Sequence, residues 1–101
     1  MEQIIQLTHP AGKKAVRMDK QKYEAVRRPL LDRLRTRGES THTEILQAIV
    51  EDFSKNKTKF EGSVEWHMEW VKLDLESRQE IRRIGDRSPV TFALNTPDPD
   101  V

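Results

Sequence analysis

The chain has 101 residues, of which 35% are hydrophobic and 35% are charged, and its formal net charge is +1. This length predicts one domain with a modest core, and the absence of cysteine excludes disulfides, thiolate metal sites and cysteine nucleophiles. No apolar run approaches the roughly 20 residues that span a bilayer, and residues 1–7 lack the pattern of a signal peptide, so we expect a cytoplasmic protein without a membrane anchor.

Residues 1–18 predict an N-terminal arm or hairpin. Ile4, Ile5 and Leu7 stand before the turn-forming residues 9–12, and residues 13–18 follow the turn. Apolar flanks around a Pro/Gly turn are typical of a short hairpin, and the same pattern also fits an extended arm.

A first helix is predicted between Asp19, a suitable N-cap, and Gly38, a residue type that ends helices readily. Pro29 lies inside this stretch and removes one backbone hydrogen bond, so the helix either kinks there or consists of two pieces. Apolar residues recur at three- and four-residue spacing and share one helix face: Tyr23, Val26, Leu30, Leu31 and Leu34.

Two further helices follow. The spacing Thr41-x-x-Glu44 is that of a capping box and begins a second helix after a short β-prone segment. A polar loop separates this helix from a third, which Ser63 caps and which ends near Arg78. The inward-facing residues of the second helix are Ile45, Leu46, Ile49 and Phe53.

The last predicted element is a β-hairpin over residues 80–95, with a turn at 85–89 and alternating apolar residues at 90–94. Residues 96–101 are expected to form a flexible tail. The order of helix, short strand, helix, helix and hairpin is that of a winged helix-turn-helix. We therefore predict an α+β domain over residues 19–95, with the hairpin as its wing.

Three short segments carry a resemblance to known proteins. They are GESTHTEI at 38–45, GSVEW at 62–66 and WVKLDLESR at 70–78. In them the chain resembles a small, largely uncharacterised bacterial family whose members are winged-helix proteins. Its third helix and hairpin resemble, more faintly, the N-terminal winged-helix domains of restriction-type endonucleases. The resemblance spans about residues 12–95, implies a winged helix and carries over no functional residue.

One position departs from that resemblance. Such domains commonly end the third helix with glycine before an aliphatic residue, whereas Gln79 stands at that place here. Glutamine adopts the left-handed backbone conformation less readily than glycine. A less sharp helix end is therefore expected.

The third helix carries two apolar stripes separated by three glutamates and a lysine. At about 100° per residue, the core stripe contains Val64, Met68, Val71 and Leu75. Trp66, Trp70 and Leu73 lie on the opposite side. Either the N-terminal arm or the hairpin covers this second stripe, or it forms a homodimer interface, where aromatic residues are enriched. The glutamates disfavour conventional major-groove readout, which needs donors and positive charge.

Basic residues nevertheless favour an association with nucleic acid. Residues 1–38 hold ten Lys or Arg against four Asp or Glu, whereas residues 39–81 hold five against ten. Candidate phosphate ligands lie in the arm, the first helix and the wing: Lys13, Lys14, Arg27, Arg28, Arg82, Arg83 and Arg87. They predict a winged-helix protein associated with double-stranded DNA, such as a transcriptional regulator or an accessory factor. If these charges are merely solvated, the alternative is a non-enzymatic interaction or dimerisation module that uses Trp66, Trp70 and Leu73.

No catalytic, metal or cofactor site is predicted. His9, His42 and His67 are too widely spaced for a His-x-x-x-His or similar ligand set. The glycines are isolated and form no phosphate-binding loop, and no serine lies in a nucleophile-elbow context. We therefore expect neither an enzyme nor a bound cofactor.

Overall fold

The computed structural model describes residues 3–95, so the tail expected at 96–101 lies outside the described residues. Within that range the chain forms three helices and five strands. In chain order the elements are β1 (Ile4–Gln6), β2 (Arg17–Asp19), α1 (Lys20–Arg37), β3 (Ser40–Thr41), α2 (His42–Lys55), α3 (Val64–Ser77), β4 (Ile81–Ile84) and β5 (Thr91–Leu94). The predicted α+β class, with three helices and antiparallel strands, is confirmed.

The strands form two antiparallel sheets. β1 pairs with β2, with Ile5 opposite Met18, so the first residues form a hairpin rather than an extended arm. The second sheet has the strand order β3-β5-β4, and Phe92 of β5 lies between Ser40 and Arg83 of its two neighbours. β4 is therefore an edge strand of this sheet.

The core combines residues from the N-terminal hairpin, the helices and the second sheet. Its buried apolar residues are Leu7, Met18, Tyr23, Val26, Leu30, Leu34, Ile45, Ile49, Phe53, Met68, Val71, Leu75, Ile81 and Phe92. Leu31, Leu46 and Val64, which were expected to face the core, are half-buried at its margin. Because Leu7 and Met18 are fully packed, the N-terminal hairpin belongs to the same core as the helices.

Local sequence signals set where the helices begin. The Glu44 N–H donates to Thr41 Oγ1 at 3.2 Å and the Thr41 N–H donates to Glu44 Oε1 at 2.8 Å, which is the predicted capping box. The Trp66 N–H donates to Ser63 Oγ at 3.0 Å at the start of α3. Asp19 stands at the N-cap of α1 as predicted, but its side chain makes no capping hydrogen bond.

Pro29 does not divide α1. The helix is continuous from Lys20 to Arg37, and Pro29 is buried within it. Proline has no N–H for the carbonyl four residues earlier, which costs about 3 kcal/mol in a helix interior. Burial of the residues around it, including Val26 and Leu30, offsets this cost.

The end of α3 corrects one expectation. Gln79 adopts a φ of 63°, its N–H donates to the Glu76 carbonyl at 3.0 Å, and the Glu80 N–H donates to the Leu75 carbonyl at 2.9 Å. These bonds define a Schellman motif, so the expected loss of sharpness is wrong. Lys57, with a φ of 54°, ends α2 in the same way. In both places the hydrogen bonds outweigh the cost of a left-handed non-glycine residue, about 1–2 kcal/mol.

Candidate interaction and nucleic-acid surfaces

The turn of the N-terminal hairpin lies against one flank of α3. The Thr8 N–H and Oγ1 both donate to Asp74 Oδ1, at 2.8 and 3.0 Å. The His9 ring meets the Trp70 ring edge-on, with the ring centroids 6.4 Å apart. The hairpin therefore screens part of the helix that follows α2, which a helix-turn-helix protein uses for base readout.

Asp74 is the polar centre of this contact. Its side chain is completely buried, and both Tyr23 Oη and Arg78 Nε donate to Asp74 Oδ2, the latter at 2.8 Å. Burial of the hydroxyl and its hydrogen bond to this carboxylate raise the pKa of Tyr23 well above its ordinary value. The hydrogen bond to Asp74 also raises the pKa of Arg78. A buried carboxylate with this many donors is well satisfied, and it joins the hairpin, α1 and α3.

A narrow part of α3 faces solvent, and we call it the α3 strip. Trp70 is half-buried beneath the hairpin turn, as expected if the chain covers its own second stripe. Trp66 instead remains 46% exposed, with its ring centroid 6.5 Å from that of Trp70. The chain thus covers only part of the stripe. The α3 strip consists of Glu65, Trp66, Glu69 and the half-buried Leu73.

A buried lysine lies beside the α3 strip. The Lys72 side chain is 5% exposed, and its Nζ lies 3.0 Å from Glu69 Oε1 and 2.8 Å from His42 Nδ1. The same ammonium group lies 4.3 Å from the centroid of the Phe92 ring. His42 Nε2 lies 2.9 Å from Glu65 Oε2. Both glutamates of the strip are therefore in contact with basic side chains of their own chain.

The three arginines of the β4–β5 hairpin, which were predicted to lie on a wing, have different surroundings. Arg83 Nε donates to Glu76 Oε1 at 3.0 Å, and its guanidinium lies 5.4 Å from the centroid of the Phe92 ring. Arg82 and Arg87 are exposed and make no ion pair with any residue between 3 and 95. Two of the three wing arginines are thus open to an external anion.

The two α1 arginines among the candidate phosphate ligands, Arg27 and Arg28, contact other elements. Arg27 Nη2 donates to Glu80 Oε1 at 2.6 Å. Burial alone would lower the pKa of Arg27, but the hydrogen bond and the charge of Glu80 outweigh it and raise this pKa. Arg28 Nη2 lies 3.7 Å from Asp52 Oδ2 of α2. These two candidate phosphate ligands therefore turn toward different partners.

A groove of about 700 Å³ lies between the hairpin turn, α3 and β4. Its walls include His9 and Pro10 on one side and Arg82 and Arg83 on the other, with Leu73 contributed by α3. Lys13 and Lys14 are exposed in the same β1–β2 connection as His9, but they do not line this groove. The groove thus brings together residues that were assigned to the interface and to the phosphate contacts.

The roles of two α3 side chains, Asp74 and Lys72, were not predicted from the sequence. No role was predicted for Asp74, although its spacing from Arg78 is that of a helical ion pair. Lys72 follows the core residue Val71 directly, and this position at the margin of the core stripe was the available signal of burial. Their partners Thr8, Tyr23 and His42 are remote in the sequence and carry no local signal.

The structure adds little chemistry beyond these contacts. Across residues 3–95 no three His, Cys, Asp or Glu side chains are grouped so that they could hold a metal ion. His67 Nδ1 lies 2.7 Å from the Ser63 carbonyl oxygen, and its ring meets Phe60 edge-on, which explains its burial. Among the helices of the described part, none combines the length and the apolar character needed to cross a membrane.

Comparison with known proteins identifies the family. The model of a family of unknown function, DUF6958, matches residues 4–92, from β1 into β5. No curated protein and no solved structure matches the chain. The match covers most of the chain, which therefore belongs to this family of unknown function.

Proposed function

We propose that this chain is a winged-helix interaction module, without catalytic activity, that binds a second copy of itself through the α3 strip. The order of α1, β3, α2, α3, β4 and β5 supports the winged-helix assignment, as does the position of β5 between β3 and β4. The observation that carries the docking proposal is Trp66, which is 46% exposed beside Trp70 and Leu73.

Trp66 differs from other exposed apolar residues of the chain. Val50 of α2 is 49% exposed and Ile4 of β1 is 58% exposed, and single residues of this kind are normal on protein surfaces. Trp66 instead lies next to a second tryptophan, Trp70, and the two ring centroids are 6.5 Å apart. Tryptophan is also the residue type most enriched at the energetic centres of interfaces.

The charges around Trp66 suit a protein surface better than a DNA backbone. Glu65 and Glu69 flank the tryptophan, and phosphate contacts require positive charge. Each glutamate already contacts a basic group of its own chain, namely His42 or Lys72. Two copies can therefore face each other without bringing unpaired carboxylates together, and the net charge of +1 adds little repulsion.

Light scattering at low and high protein concentration tests self-association. We expect the wild-type mass to rise to that of a dimer, and Trp66→Ser to remain monomeric. Val50→Ser is the matched control, since it removes an equally exposed apolar side chain from another helix and should dimerise as the wild type does. A wild-type mass that stays monomeric at every concentration would refute the proposal.

DNA association is the second candidate function. Arg82, Arg87, Lys13 and Lys14 favour it, because these exposed cations have no ion pair within the described part of the chain. In this candidate, phosphates bind to the wing and to the hairpin connection, and α3 reads no bases. The protein would then act as a regulator or an accessory factor.

Fluorescence anisotropy of a labelled generic duplex tests this second candidate. Binding should weaken steeply as salt rises, and Arg82→Glu with Arg87→Glu should lower the slope of log K against log salt by about 2. Lys55→Glu with Lys57→Glu makes the same change of charge at the end of α2 and serves as the control. The absence of binding at low salt would exclude the candidate.

A further inference from the structure

The outer edge of β4 has backbone groups that are open to a partner. β4 is the last strand of the order β3-β5-β4, so only one of its sides is paired. The Asn95 N–H donates to the Glu80 carbonyl at 3.0 Å, and hydrogen-bonded pairs alternate along an antiparallel ladder. The N–H and C=O groups of Ile81 and Arg83 therefore point away from β5. Within residues 3–95 no strand lies beside them. Ile81 is only 2% exposed, so the backbone groups of the exposed Arg83 are the ones that a partner can reach.

The groove next to this edge has the shape and the charge of a peptide site. Leu73 lies at its apolar side and the turn with His9 and Pro10 forms the opposite wall. Arg82 and Arg83 line it, and Glu76, the single carboxylate among its lining residues, already accepts a hydrogen bond from Arg83. The groove is therefore a basic site whose inner surface is partly apolar.

A second copy does not suit this edge. Pairing two β4 strands would bring Arg82 and Arg83 close to the same residues of the partner, and like charges that face each other across strands destabilise pairing. Charged side chains protect natural edge strands from self-association in this way. The same arginines attract carboxylates, so they select an acidic strand over a copy of β4.

We propose that the β4 edge binds an extended acidic segment of another protein, which adds to the sheet as a further strand. Its backbone pairs with Arg83, its carboxylates meet Arg82, and an apolar side chain on its opposite face packs on Leu73. The groove shares Leu73 with the α3 strip but is not lined by Trp66, so Trp66→Ser should bind such a segment as the wild type does. The failure of either proposal leaves the other standing.

NMR titration of the full chain with a synthetic peptide tests the inference. The probe is a peptide of about eight residues that alternates valine and glutamate and has blocked ends. The amide signal of Arg83 should shift and exchange with solvent about tenfold more slowly, whereas those of Arg82 and Ile84, already paired with β5, should change less. Two control peptides carry lysine in place of glutamate or an N-methyl group on every amide. Neither control should bind.

Arg82→Glu and Arg87→Glu form the matched pair of variants. Both reverse one exposed charge of the wing, but only Arg82 lines the groove. We expect Arg82→Glu to weaken peptide binding by about tenfold or more and Arg87→Glu to change it by less than about twofold. The inference is overturned if the peptide leaves the Arg83 amide unaffected, if the N-methylated peptide binds equally well, or if both variants lose affinity to the same extent.

Discussion

Removal of the Asp74 carboxylate tests whether a buried charge holds the N-terminal hairpin to the helices. Asp74 accepts hydrogen bonds from the Thr8 N–H and Oγ1, from Tyr23 Oη and from Arg78 Nε, and its side chain has no exposed surface. In Asp74→Ala the buried Tyr23 hydroxyl loses its acceptor inside the protein, whereas the exposed Thr8 turns its donors to water. Arg78, whose side chain is 42% exposed, also turns to water.

The expected loss follows from those donors. The unpartnered Tyr23 hydroxyl costs about 1–3 kcal/mol and each hydrogen bond lost from Thr8 about 1 kcal/mol, so Asp74→Ala should lower the free energy of unfolding by about 3–5 kcal/mol. Asp74→Asn keeps the side-chain volume and one acceptor oxygen, but it turns an amide NH₂ toward Arg78. We expect this variant to lose about 1–2 kcal/mol. Domains of this size have a free energy of unfolding of about 5–15 kcal/mol, so the asparagine variant should remain folded and its stability can be measured.

Urea unfolding, monitored by tryptophan fluorescence, measures the free energy of unfolding of both variants. A double-mutant cycle with Tyr23→Phe isolates the interaction energy between Tyr23 and Asp74. Tyr23→Phe should cost about 1–2 kcal/mol in the wild type and close to nothing in Asp74→Ala, because the acceptor has then gone. Additive losses, or an Asp74→Ala variant within about 0.5 kcal/mol of the wild type, would refute the assignment of Asp74 as the polar centre of this contact.

Three further predictions concern helix ends and pH. Gln79→Gly and Lys57→Gly relieve left-handed positions, so each should raise stability by about 0.5–1 kcal/mol, and a Tm that does not rise would contradict the strain argument. Because the folded chain holds the Tyr23 proton more tightly than the unfolded chain, the stability from this group is complete below pH 10.0 and is lost as the pH rises above it. The Tm should therefore fall less steeply with rising alkaline pH in Tyr23→Phe than in the wild type. Identical slopes of Tm against pH would count against this linkage. The hydrogen bond from the Thr41 N–H lowers the pKa of Glu44 below 4.5. The stability that the ionised Glu44 contributes to the fold is therefore present above pH 4.5 and is lost in acid. Glu44→Gln should flatten the acid side of the same curve, and an unchanged acid side would argue against the capping box as its source.

The sequence predicted the elements of the fold because their signals are local. The core stripe of α1 repeats within a few residues, and the capping box of α2 needs only Thr41 and Glu44. Rules based on a single residue type were less reliable. Pro29 suggested a kink or a division, of which the continuous helix excludes the division, and Gln79 suggested a less sharp end that two backbone hydrogen bonds make sharp. In each case interactions of the folded chain outweigh a local preference of about 1–3 kcal/mol.

The candidate surfaces were harder to predict because counting charges does not show which of them are paired. Arg27 meets Glu80 from the other end of the chain, whereas Arg82 has no ion pair between residues 3 and 95, yet both were equal candidates in the sequence. The same applies to the tryptophans. Trp66 and Trp70 share a stripe one helical turn apart, and only the folded hairpin distinguishes the covered residue from the exposed one.

The N-terminal hairpin limits what α3 can contact. Its turn packs on Trp70 and is held by Asp74, and it also forms one wall of the groove beside β4. Both proposed surfaces therefore border the same turn, so a variant that loosens the hairpin, such as Asp74→Asn, should disturb both at once. Trp66→Ser and Arg82→Glu should instead affect one surface each. If Asp74→Asn impairs self-association and peptide binding while remaining folded, the hairpin positions both surfaces, and a variant that impairs neither would show that α3 and the sheet suffice.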